Sequence, residues 1–142
     1  MATAPAVKFF QPGDRLYIQA QRIWLILVAF VMEHADRGTP RPPTITYGEL
    51  AVKMGAADGR AGHTLGRQLG IVGAFCLDNN LPALNSVVIN AQTQQPGAEV
   101  VLQPGNTPLD EQHAVASFDW YSVRVPTTGT FRQVWEESSA AA

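Results

Sequence analysis

A chain of 142 residues with 46% hydrophobic and 15% charged side chains holds enough apolar material for one core, burying roughly two thirds of its unfolded surface, and too little charge for a disordered tail protein. Ten Lys and Arg against twelve Asp and Glu leave a net charge of −2, which excludes binding to a polyanion through bulk positive charge. The single cysteine excludes an internal disulfide, and no His or Cys run has zinc spacing, so neither a metal nor a cofactor is expected.

Charge is unevenly spread along the chain. Residues 1–67 carry eight basic and five acidic side chains, a balance of +3, whereas residues 68–142 carry two basic and seven acidic ones, a balance of −5. A mildly basic first half suits a local polyanion contact. The first twelve residues hold one Lys and no long apolar stretch, and the run Ile23 to Met32 is ten residues long, against about twenty for a bilayer. Neither a signal peptide nor a membrane partner is expected, and the cytoplasm is the default compartment.

Residues 1–13 read as an Ala- and Pro-containing lead closed by the turn signal Gln11-Pro12-Gly13. A single domain is expected over 14–137, with 138–142 a frayed tail. Asp14 opens a helix over Arg15–Asp36, which lacks Gly and Pro and repeats Leu16, Ile23, Leu27 and Phe30 at helical spacing. Its apolar surplus suits either a central core helix or the seam of a homodimer. Arg37-Gly38-Thr39 and the prolines at 40, 42 and 43 end it in a stiff linker.

Thr44 to Tyr47 then reads as an extended entry, Gly48 to Met54 as a two-turn helix stopped by Gly55, and 56–62 as a loop. A longer helix is expected over His63–Asn79, with Leu65, Leu69, Val72, Phe75 and Cys76 on its apolar side. The β-branched runs Ser86–Ala91 and Glu99–Leu102, separated by Thr93-Gln94-Gln95-Pro96-Gly97, read as a β-hairpin. A helix over Pro108–Phe118 follows, then the aromatic cluster Phe118, Trp120 and Tyr121, with Phe131 to Trp135 docking behind it. Asp110, Glu111 and His113 fit a helix start with favourable dipole interactions better than a catalytic group.

Short helix, longer helix and hairpin, in that order, make an α+β fold with a winged helix-turn-helix core, a long N-terminal helix and a hairpin wing. In such a core the second helix enters a major groove about 12 Å wide. Thr46-Tyr47-Gly48-Glu49-Leu50-Ala51, Gly66 near the start of a helix, and Leu81-Pro82 leading into Ser86-Val87-Val88-Ile89 resemble the DNA-binding domain of the alkylguanine-DNA alkyltransferase and alkyltransferase-like family. The resemblance covers residues 44–97, 54 of the 142.

That resemblance implies a recognition helix after the Thr46–Ala51 helix. It also implies a strand approaching a Pro-Cys-His-Arg motif, whose thiolate accepts the alkyl group. The matching stretch here is Leu84-Asn85-Ser86-Val87-Val88, without Cys, His or Arg, and His63 stands where the family keeps its nucleotide-extruding Arg. Alkyl transfer and base flipping both lack their residues. Cys76, on the apolar side of a helix, reads as a buried structural thiol. His34, His63 and His113 are scattered, and the chain has neither a Gly-x-Ser-x-Gly elbow nor a phosphate loop, so no catalytic residue is expected.

The resulting expectation is a non-catalytic protein that binds duplex DNA. Arg60, His63, Thr64 and Arg67 would sit at the mouth of the second helix, Gln68 would read adenine, and Lys53 and Arg41 would touch phosphate. Tyr47 is expected to pack between the helices. The alternative, carried by the acidic second half and by Trp120, Tyr121 and Trp135, is a protein-interaction module of mobile-element or phage inhibitor type, or an assembly subunit, on the same scaffold.

Overall fold

The computed structural model describes residues 6–10, 14–34 and 40–141, with side chains to Ser138. The turn signal at 11–13, the end of the first helix at 35–36 and the segment Arg37-Gly38-Thr39 lie outside the described residues.

Helix α1 (Arg15–His34) forms where no Gly or Pro interrupts helical spacing. It turns Ala20, Ile23, Trp24, Leu27, Val28 and Val31 inward. By length and composition it is long and apolar enough to cross a membrane. The inward stripe is nevertheless the centre of the core, and among its larger apolar side chains Leu25 is left exposed. Leu16, Tyr17, Ile26, Phe30 and Met32 of the same helix are partly buried against the core.

Strand β1 (Ile45–Thr46) leads directly into α2 (Tyr47–Lys53). Thr46 caps α2 in a complete capping box, its hydroxyl accepting from the Glu49 N–H at 3.1 Å while the Glu49 carboxylate accepts from the Thr46 N–H at 3.2 Å. Gly55, at φ +102°, ends the helix in the left-handed conformation open to glycine. A 3₁₀ segment, Gly59–Thr64, follows, and then α3 (Gly66–Asp78). The expected helix from His63 thus begins three residues later, because the Gly59–Thr64 backbone is wound more tightly. His63 and Thr64 belong to the 3₁₀ segment.

The expected hairpin is the main correction. Leu84–Val87 is a 3₁₀ segment, and β2 is only Val88–Ile89. It pairs in parallel with β1, Ile45 against Val88 and Thr46 against Ile89. The segment 99–102 forms no strand. The 90–95 loop does turn as expected: the Asn90 side chain accepts from the Gln92 and Thr93 N–H groups. It closes on one antiparallel bridge, Ile89 to Pro96. Pro96 has no N–H to continue a ladder, and the Gly97 N–H donates to the Tyr47 hydroxyl at 2.8 Å. The chain is thereby drawn onto α2 rather than along β2. The observed architecture is mostly helical, with a two-stranded parallel sheet, and falls within the α+β class.

Helix α4 (Pro108–Ser117) starts at a second capping box, Thr107 with Asp110. A short 3₁₀ turn, Trp120–Ser122, precedes α5 (Thr128–Ala141). Trp24 on α1 meets the Phe75 ring edge-on at 5.3 Å and Trp120 at 5.6 Å, and Phe131 of α5 packs on Phe75 at 5.7 Å. These rings join α1, α3, α5 and the Trp120 turn, and each buried aromatic contributes on the order of 2–3 kcal/mol by area alone.

Candidate nucleic-acid interface

The first turn of α2 crosses the Gly59–Thr64 segment almost backbone to backbone. A Cβ on Gly62 would lie 2.7 Å from the Tyr47 carbonyl carbon and 2.8 Å from the Gly48 nitrogen, so this crossing admits no side chain. The close approach sets the angle between α2 and the start of α3, and it turns the side chains of the 3₁₀ segment outward.

Of the expected contact residues, Lys53, Arg60, His63, Thr64 and Arg67 are all exposed at this corner. Lys53 ends α2 and lines a shallow depression with Glu49 and Gly59. Arg60, with a side chain 92% exposed, pairs with Asp58 at 3.6 Å. An exposed pair of this kind contributes about 0–1 kcal/mol, so its guanidinium remains exchangeable. His63 Nδ1 lies against the Arg60 carbonyl and Thr64 Oγ1 donates to the Ala61 carbonyl at 2.7 Å. Both side chains hold the 3₁₀ turn while standing at the surface. Arg67 lies in the first turn of α3, where the N-cap residue is Leu65 and no side chain caps the helix.

Gln68 is a correction. It is buried, and its amide Nε2 donates to Gln19 Oε1 of α1 at 2.5 Å. At one residue past Arg67 it faces about 100° round the helix, toward α1, so it presents nothing to a base edge. Arg41 is exposed but lines a different groove, with Pro40, Gln94, Gln95 and the start of α4, and does not join the corner cations.

Several interactions were not anticipated. The Tyr47 hydroxyl donates to Glu99 Oε1 while accepting from the Gly97 N–H. Burial first, then the hydrogen bond and charge of Glu99, push the phenol above its ordinary range, with the Gly97 N–H acting in the opposite direction. Glu111 is fully buried, with its carboxylate accepting from the Ala83 N–H and from Asn106 Nδ2, both at 2.7 Å. An acid just beyond a complete Thr107/Asp110 capping box has no capping role left, and that was the available signal. Gln112 Nε2 donates to the Ser86 carbonyl at 2.9 Å. The segment that would align with the alkyl-accepting motif is therefore sealed inside, with Asn85 and Ser86 fully buried. Cys76 is buried as expected, and its thiol is pushed up to about 12, chiefly by burial.

On the outer side of α3 runs an open groove of about 470 Å³, with Arg67 in its lining. Its floor is Gly70 and Ala74, and its walls are Leu77, Val101, Trp135 and Glu99. Nothing in the sequence brings Val101 and Trp135 together, since the groove depends on α5 lying along α3. Among the described residues no group of His, Cys, Asp and Glu could hold a metal ion. Comparison with family models, curated proteins and solved structures found no match.

Proposed function

We propose that the protein is a non-catalytic DNA-binding protein, with residues 47–96 acting as a winged-helix-like module whose wing is reduced to the 90–96 loop. The observation that carries this reading is the exposure of Lys53, Arg60 and Arg67 at the end of α2, in the 3₁₀ segment and in the first turn of α3. The start of α3, uncapped by any side chain, adds backbone N–H groups and the positive end of a helix dipole beside Arg67, a combination suited to phosphate. With Gln68 turned inward, base readout is confined to His63 and Thr64, and backbone contact through Lys53, Arg60 and Arg67 dominates.

The test is the affinity of the full chain for a labelled duplex of about 20 base pairs. Arg60→Ala and Arg67→Ala each weaken binding to a similar degree on unrelated sequences, as phosphate contacts do. Unchanged affinity in both variants overturns the assignment.

The open apolar groove favours a second reading, the protein-interaction module. Glu99 in its wall brings negative charge to α3, and Trp135 and Val101 supply the apolar and aromatic surface that interfaces favour. That reading predicts one protein that co-purifies in stoichiometric amount, with no duplex affinity.

A further inference from the structure

Among the described residues, two apolar surfaces lack a cover. One is the α3–α5 groove of Gly70, Ala74, Leu77, Val101 and Trp135. The other is the leading segment, where Val7, Phe9 and Phe10 are 77%, 81% and 54% exposed. Their arrangement relates them. Asp14, four residues after Phe10, pairs with Arg132 of α5. Trp135 stands three residues beyond Arg132, about 4.5 Å along the helix. The root of the segment is thus within one turn of the groove. Yet the aromatic side chains lie outside it, so among the described residues of one chain both surfaces stay open.

We infer that the chain forms a two-fold dimer by exchange of this segment, with Val7, Phe9 and Phe10 of one copy seated in the α3–α5 groove of the other. Such an exchange is self-complementary and closes after two copies. The area is sufficient. Two aromatic side chains and a valine bury roughly 400–500 Å² per arm and cover about as much groove, so two arms give on the order of 1,600–2,000 Å² in total, the size of a standard stable interface. The groove lining carries one charge of each sign, Arg67 and Glu99. Glu136 and Glu137 are exposed in the same turn of α5 as Trp135, and Lys8 is the one charged residue of the segment. The inference does not rest on the nucleic-acid reading, and its test contains no DNA.

Val7→Cys chains are mixed with an equal amount of Ser138→Cys chains under mild oxidation. Both positions are exposed, Ser138 lines the groove, and the native Cys76 is buried. The expected product is a disulfide-linked pair containing one chain of each kind. In sedimentation equilibrium the wild type is a dimer, and the double variant Phe9→Ser/Phe10→Ser, changed only at exposed positions outside the core, raises the dissociation constant at least tenfold. A monomer at all concentrations overturns the proposal. So does linkage found only within a chain carrying both cysteines, or a dimer indifferent to the Phe9 and Phe10 changes.

Discussion

Tyr47 shows how far a residue can be read before its neighbours are known. Its place at the start of a short helix beside Leu50 foretells packing, and it is half-buried. What it does there, joining α2 to Gly97 and Glu99, depends on residues fifty positions away and left no local mark. Tyr47→Phe removes both hydrogen bonds and lowers stability by about 1–2 kcal/mol at pH 7, measurable by urea unfolding. Because the folded chain holds the phenolic proton more tightly than the unfolded one, this contribution is complete below about pH 10 and is lost as pH rises above it. The stability gap between wild type and Tyr47→Phe is therefore constant up to about pH 9 and narrows as pH rises above about 10, and a gap that stays constant to about pH 12 contradicts the assigned contact. Cys76, legible as buried from its helical face, has the opposite simplicity. Its thiol, sealed among apolar groups and pushed up to about 12, reacts with an aromatic disulfide reagent only as fast as the chain opens. Rapid labelling of the folded protein is the contrary result.

Helices α1 to α4 were legible because spacing, caps and stops agree locally, whereas α5 (Thr128–Ala141) was read only as a docking segment at Phe131 to Trp135. Asp14, Thr46 and Thr107 stand at or just before helix starts, and Gly55 just after an end. The wing was not legible, since alternation of β-branched residues at 86–91 and 99–102 states that a strand is favoured without naming its partner. Pro96 and the Tyr47 hydroxyl decide the matter by ending the ladder and redirecting the chain. The corner between α2 and α3 is fixed by a different feature, the space where a Cβ is missing. Gly62→Ala forces an atom to within 2.7 Å of the Tyr47 backbone and costs about 1–3 kcal/mol. Gly66→Ala, with nothing within 4 Å of the new atom, leaves stability unchanged or raises it by up to about 1 kcal/mol. Equal effects of the two changes in thermal unfolding contradict the glycine crossing.

At the scale of the whole molecule, long-range contacts tie the basic and acidic halves of the chain together. Asp14 of the basic half takes Arg132 of the acidic half, and Glu99 of the acidic half sits on Tyr47 of the basic one. Long-range pairing redistributes charge that the linear sequence had kept apart, and for that reason the groove on α3 and the Glu99 in its wall lay beyond sequence reasoning. Lys53, Arg60 and Arg67 are exposed as expected, with Glu49 beside Lys53 and Asp58 paired to Arg60, whereas Gln68 is buried and Arg41 lines another groove. The most direct measurement is the salt dependence of duplex affinity for wild type and for Lys53→Ala/Arg60→Ala/Arg67→Ala. If three phosphates are neutralised at this corner, the slope of log affinity against log salt flattens by about 2.7 in the triple variant, roughly 0.9 per contact. Equal slopes and equal affinities in the two proteins would contradict a nucleic-acid role for this surface.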